Sequence, residues 1–356
     1  MQIKSIGRNF NANTFKYNPA FNTIGRTFAK TKEQKIAELT SKLQINALND
    51  TGIDAVKIFN LIGIKTEIDK NGMLTISEYK QPDSNIRFSD IGISEDELIK
   101  NVKKIEGNAD FYNSAITSLG NIELIGGNAD FRKTNFESLG KLSRIGGNVL
   151  FIDSNITNLS DLEKIGGSAY FNDSKIKSLN NLKSIGNKAD FSHSSVEDIG
   201  KLEGIGGSAD FYQSEIKDLK NLIFIDGSAF FNDSSVENTG KLKYIGLDAI
   251  FSNSPIKSLK NIETIGRNLI LSNSNVEDTG KLKFIGNDAI FSNSKITSLK
   301  NIETIVNNAD FTDSDINDLG NLKNIGNTAY IRNSNITPAM LKGICSSVSN
   351  SKRFPN

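Results

Sequence analysis

The chain has 356 residues and a formal net charge of +1, with 42 Lys and Arg against 41 Asp and Glu. That balance gives no electrostatic case for nucleic acid, which needs a basic face or stripe. One cysteine, Cys345, excludes an internal disulfide framework and leans the reading towards a bacterial or reducing-compartment protein.

The N-terminus has no apolar core of signal-peptide length, and no apolar run approaches the ~20 residues of a membrane span. A cytoplasmic protein, or one secreted without a standard signal peptide, is the expectation. Residues 1–30 space Phe10, Phe15, Tyr17, Phe21 and Phe28 among Asn, Lys and Gly without a period, and read as a flexible arm. A cap of mixed helix and strand is predicted over 31–104. Thr31 and Gln34 form a capping box for a helix with Ile36, Leu39 and Leu43 on one face. A second helix is predicted from Asp50 or Thr51 to about Leu61.

The next stretch carries two readings. Asn71-Gly72 between alternating apolar arms signals a hairpin, with strands at about 64–69 and 73–79. The same residues resemble a calcium loop, with Glu67, Asp69, Asn71, Thr75 and Glu78 at oxygen-ligand positions around Gly72. Glu in place of the usual first Asp, and Pro82 where an exit helix should run, count against the cation. Ser94 and Glu97 then cap a helix predicted over about 95–103.

From 105 to 336 one 20-residue unit recurs about twelve times without insertion. Its fixed columns include Ile105, Ile125 and Ile145 to Ile325, the Phe111, Phe131, Phe151 column broken by Leu271 and ended by Ile331, and a serine column from Ser114 to Ser334 with Thr134 its one lapse. A short fixed period is the mark of a solenoid whose units cover one another's apolar edges. In A-x-F, Ala129 and Phe131 should point inward and Asp130 outward, and successive units should stack as parallel strands. Too little chain remains for a return helix, so turns or 3₁₀ pieces are predicted there. Gly126-Gly127 is placed at a tight turn expected to need positive φ.

The spacing of Ala129, Phe131, Thr134 and Phe136 resembles the leucine-rich repeat, which has apolar residues at 4, 6 and 11 and a polar one at 9. The 20-residue length is similar to a short bacterial class of that family, though its proline pairs are missing, and Ala and Phe replace bulkier and smaller residues at 4 and 6. The resemblance implies that the serine column bonds the backbone of neighbouring turns as a ladder. From Val196 onward the units alternate, and 241–265 matches 281–305 at 21 of 25 positions, which reads as duplication of a 40-residue pair. Thr337 and Pro338 are predicted to open a short capping helix carrying Met340, Leu341, Ile344 and Cys345, with a disordered tail over the rest of 337–356.

Chemistry is sparse in this sequence. His193, the one histidine, falls on a repeat turn, and Cys345 reads as packing. The column Asp110, Asp130, Asp190, Asp210 and Asp310 reads as a solvated face. In that same outward column the later units carry Phe230, Ile250, Ile270 and Ile290, an apolar stripe that marks either a partner site or a packing ladder. Tyr170 and Tyr212 add aromatic surface earlier on the face. The expectation is a repeat solenoid with a small N-terminal α/β cap, acting without cofactor or catalysis as a scaffold for a protein partner. The alternative is a structural or adhesive repeat contacting glycans or a host surface.

Overall fold

The computed structural model describes residues 30–43, 54–82 and 87–351. The arm read over 1–30 and the start of the second helix therefore fall almost wholly outside the described residues. Helix α1 (Lys32–Leu43) begins with the reciprocal capping box, Thr31 N–H donating to Gln34 (3.0 Å) and Gln34 N–H to the Thr31 hydroxyl (3.3 Å). Helix α2 (Ala55–Leu61) is capped by Asp54 and buries Ile58 and Phe59. Strands β1 (Thr66–Ile68) and β2 (Leu74–Ile76) form the antiparallel hairpin. One Asp69 oxygen closes its turn by accepting from the N–H groups of Asn71 (2.8 Å) and Met73 (2.9 Å). Helix α3 (Glu95–Ile99) ends earlier than its sequence pattern suggests, because β3 (Val102–Ile105) is taken up as a parallel partner of β2.

The hairpin is thus the first rung of the solenoid, and it protects what would otherwise be an open strand edge. A second rung comes from Tyr79, which bridges to Ala109 and stacks on Phe111 with centroids 4.6 Å apart. Its buried hydroxyl donates to Glu95 at 3.0 Å.

The body is a β-solenoid of about twelve 20-residue coils, almost all parallel strand and turn. Each coil holds two short strands where the sequence pattern suggests one. In the second full coil they are Leu124–Ile125 and Ala129–Asp130. Both stack in register on the next coil, Ile125 on Ile145 and Ala129 on Val149. Two parallel ladders therefore run the length of the molecule and merge in the continuous strand Asn324–Tyr330. The return side is built of turns joined by single bridges such as Ser138 to Asn158.

Strict register makes the core a set of columns. The phenylalanines from Phe111 to Phe251 are fully buried and stack with neighbouring centroids 4.9–5.7 Å apart. Leu271 interrupts the stack, and Phe291 and Phe311 resume it at 5.5 Å. Isoleucine, alanine and leucine columns close around the rings. Two residues per coil adopt the left-handed conformation. One follows the ring, from Asn113 (φ 50°) to Asn333 (φ 51°), and the other begins the turn at Gly120, Gly140 and their equivalents.

Several expectations change. Gly126 and Gly127 do not need positive φ; they need to lack a side chain. A Cβ on Gly126 would lie 2.1 Å from the Glu106 carbonyl oxygen, and one on Gly127 2.7 Å from the Gly107 carbonyl carbon. Asp226 and Val306 occupy the Gly126 column in two other coils, so glycine is favoured there without being obligatory.

The serine column does not form the cross-coil ladder. Nine of its hydroxyls, Ser114 and Ser154 among them, reach no acceptor, while Thr134 and Ser234 donate to their own coil's Phe131 (2.8 Å) and Phe231 (2.7 Å). What the column shares is small volume at a buried turn. The ladder lies six residues earlier. There Asn108 accepts from Asn128 N–H (2.8 Å), Asn128 from Asn148 (2.7 Å) and Asn148 from Ser168 (2.7 Å). It resumes from Ser208 through Asp248, Asn268 and Asp288 to Thr328. Lys188 sits in the gap.

The C-terminal capping helix is also absent. Thr337 does accept from Met340 N–H (3.4 Å), but Gly343 turns left-handed (φ 77°) and residues Cys345–Ser349, read as helix end and disordered tail, form a strand paired in parallel with Asn324–Tyr330. An unpaired final coil offers a full row of backbone partners, and that outweighs the weak helical signal of a short segment.

The 40-residue alternation has a structural counterpart. From residue 198 the return side bridges in pairs, Asp218 with Asn238, Ser258 with Asp278 and Ser298 with Asp318. Within a pair the backbones touch: a Cβ on Gly240 would meet the Lys220 nitrogen at 2.5 Å, and Lys241 N–H donates to the Lys220 carbonyl at 3.0 Å. Between pairs an asparagine side chain spans the wider gap, as Asn221 does to the Gly200 carbonyl (3.2 Å) and Asn261 to Gly240 (2.9 Å). The alternating Gly-Lys and Lys-Asn dipeptides are the two halves of that joint.

Candidate functional surface

Both strand ladders turn columns of side chains outward. On the second ladder one such column runs from Asp110 to Tyr330. Its aspartates are less exposed than a solvated face requires: Asp130 and Asp310 are only 7% and 5% accessible. Each aspartate accepts the N–H two residues on, Tyr112 to Asp110 (3.0 Å), Arg132 to Asp130 (3.1 Å), Ser192 to Asp190 (3.1 Å), Tyr212 to Asp210 (3.1 Å) and Thr312 to Asp310 (3.0 Å). They close the turn that follows the strand.

Four of the aspartates form side-by-side pairs, Asp110 on Asp130 and Asp190 on Asp210. In each pair one carboxylate holds a cation. Arg132 grips Asp130 with its closest contact at 2.6 Å, and Lys188 meets Asp190 at 2.8 Å. The other member is raised above the ordinary carboxylate range. Burial is the main cause for both Asp110 and Asp210, the turn N–H opposes it, and the neighbouring aspartate adds to it.

Aromatic rings gather beside these pairs. Arg132 lies over Tyr112 (5.2 Å) and Lys188 over Tyr170 (5.9 Å). Tyr212 meets exposed His193 edge-on at 5.4 Å, on a left-handed turn (φ 53°). Tyr170 and Tyr212 lie two coils apart, and Tyr212 follows Asp210, which pairs directly with Phe230 at the start of the apolar stripe.

The stripe itself is continuous. Phe230, Ile250, Ile270 and Ile290 are paired strand to strand in unbroken register. All four are half-buried, because each lies against its neighbours in the column.

A more exposed apolar column, which the repeat consensus hides, stands on the first ladder. Phe224 (36%), Tyr244 (40%) and Phe284 (39%) occupy the position before the invariant isoleucine, with Ile223 (40%) beside them. In other coils that position is Arg144, Lys164 or Ser184, so averaging the repeats erases it; reading the column coil by coil recovers it. The Phe224 ring covers Gly204, where a Cβ would come within 2.2 Å of it.

Glu67 faces Thr75 across the hairpin, Asp69 is committed to the turn, and among the described residues no three His, Cys, Asp or Glu side chains gather in a metal-binding group. Backbone contacts hold Asp69 below the ordinary carboxylate range. Cys345 is partly buried on the final strand, and burial raises its thiol. No helix among the described residues is long and apolar enough to cross a membrane. Comparison with protein-family models, curated proteins and solved structures yields no match for this chain.

Proposed function

We propose that the chain is a non-enzymatic scaffold that binds a partner protein on the second-ladder face, through Phe230, Ile250, Ile270 and Ile290. The observation that carries this reading is the contiguous, in-register apolar column on the outward side of a ladder where five of the other coils bear turn-closing aspartates. Its rim is polar, with Asn232, Asn253, Asn273 and Asn293 on the following turn, as in specific interfaces. The test is capture of a partner by wild type and by Ile250→Asp/Ile270→Asp. The reading fails if a folded double variant captures the same protein.

The solenoid is further proposed as a variant of the short leucine-rich-repeat design. The spacing of Ala129, Phe131 and Phe136 supports the kinship. Two ladders per coil are shared with parallel β-helices, and a repeat-swapping experiment into a known leucine-rich scaffold would separate the two. A second reading, glycan contact by an adhesive repeat, is favoured by the polar half of the face, where Tyr170 and Tyr212 flank the Asp190–Asp210 pair. Glycan-array binding lost in Tyr170→Ala/Tyr212→Ala, and kept in the isoleucine variant, would select it.

A further inference from the structure

The exposed column of the first ladder stands on a different ladder from the stripe proposed for the partner, and its pattern specifies its own occupant. Beside Phe224, Tyr244, Thr264, Phe284 and Thr304 runs a second outward column, Lys243, Glu263, Lys283 and Glu303. Elsewhere such neighbours pair within the chain, Lys183 with Glu163 (3.0 Å) and Lys323 with Glu303 (3.2 Å). Among the described residues, Lys243, Glu263 and Lys283 make no ion pair, although they flank the most apolar part of the face.

From these two columns we infer that the first-ladder face is a homodimer interface, on which a second copy of this chain packs with its solenoid axis reversed. A two-fold axis parallel to the strands, in the interface plane and midway between the coils of Thr264 and Phe284, keeps each column facing itself and reverses the coil order. Under that operation Glu263 faces the other copy's Lys283, and Lys243 faces its Glu303. The same axis sets Phe284 against Thr264 and Tyr244 against Thr304, so each large ring meets a small residue. One placement thus satisfies both charge and volume. A two-fold axis along the solenoid would keep each coil opposite itself and reverse the strands, so a column lying on that axis would meet its own residue, Lys243 on Lys243 or Phe284 on Phe284, and no charge would find its opposite there. An unrelated partner would have to carry the reversed pattern independently; a second copy carries it by construction.

Sedimentation of the full chain over a concentration series tests this. The wild type is expected to dimerise. Lys283→Glu and Glu263→Lys each place two like-charged contacts in the interface, and each should weaken the dimer at least about tenfold. The double variant Glu263→Lys/Lys283→Glu restores both pairs and should restore the dimer. Circular dichroism checks that all three variants are folded. A wild type monomeric throughout the series overturns the inference. So does a dimer that neither single variant weakens, or a double variant no tighter than the singles. Because Ile250 and Ile270 belong to the second ladder, outside the two columns matched here, their aspartate variants should dimerise like the wild type, which separates this interface from the partner site.

Discussion

The coils from 105 to 210 and those from 223 to 290 share one interior and differ in what they turn outward. Inside, both halves stack rings, isoleucines and leucines in the same columns, nearly all at 0–1% accessibility. Outside, the first half shows Arg144, Lys164 and Ser184 on one ladder and Asp130, Asp190 and Asp210 on the other. The second half shows Phe224, Tyr244 and Phe284, and Phe230, Ile250 and Ile270. In a parallel in-register solenoid each outward residue lies against its own equivalent, about 4.8 Å away. Like charges in that geometry need help, which Arg132 and Lys188 supply to the aspartate pairs. Apolar residues need none, since stacking covers them. Register fixes the core and leaves each outward column free to specialise over a few coils.

The shared interior can be broken first. Phe191→Ala removes a ring stacked at 5.0 Å on Phe171 and 5.5 Å on Phe211. It should cost about 3–5 kcal/mol, measured by denaturant unfolding. Phe231→Ala should cost a similar amount, and a clear inequality would mean that the halves differ inside as well.

The return side sharpens the contrast next. Gly140 and Gly240 both have φ 57°, but a Cβ on Gly140 meets nothing within 4 Å, whereas one on Gly240 meets backbone at 2.5 Å. Gly140→Ala should cost only the left-handed backbone, roughly 1–2 kcal/mol. Gly240→Ala should cost about 1–3 kcal/mol more, because the coil pair must separate. Equal losses would show that the paired joint of the later coils is no tighter than the earlier turns.

The outer faces come third. Ile250→Asp/Ile270→Asp rebuilds in the apolar half the side-by-side arrangement already present at Asp190–Asp210. Without a cation in the place of Lys188 the new pair should cost about 1–2 kcal/mol of stability, which leaves the chain folded while partner capture is lost.

The smallest effect lies in pH dependence. Asp210 is raised in the folded state above its ordinary 3.8, chiefly by burial. The folded protein then holds this proton more tightly than the unfolded chain, so stability falls as pH rises from about 3.8 through the folded value. Asp318 is lowered, with hydrogen bonds from Ser298 and Gly320, and contributes in the opposite sense, its stabilisation being lost as pH falls below 3.8. In Asp210→Asn, which keeps the oxygen that receives the Tyr212 N–H, stability relative to wild type should improve with rising pH. A flat difference between the two titrations would show that Asp210 is not held in its raised state.

Much of this protein is legible in its sequence, and the dividing line is physical. The columns of Ile125, Ala129, Phe131, Phe136 and Leu139 announce a solenoid because burial demands an apolar residue at the same place in nearly every coil. The capping box at Thr31 and the hairpin around Asn71-Gly72 are equally legible, since each rests on contacts within a few residues. The strand at Cys345–Ser349 was not, because its partner lies 20 residues away and only the open last coil makes it favourable. Nor was the ladder from Asn108, whose acceptors are read only when neighbouring coils are set side by side. The glycines at 126 and 127 were visible as residues, but whether they served a turn or a close approach depended on the distance to the next coil. Local pattern and periodicity determined the fold; the spacing between coils, which no single repeat encodes, decided which side chains bond, which are covered and which face outward.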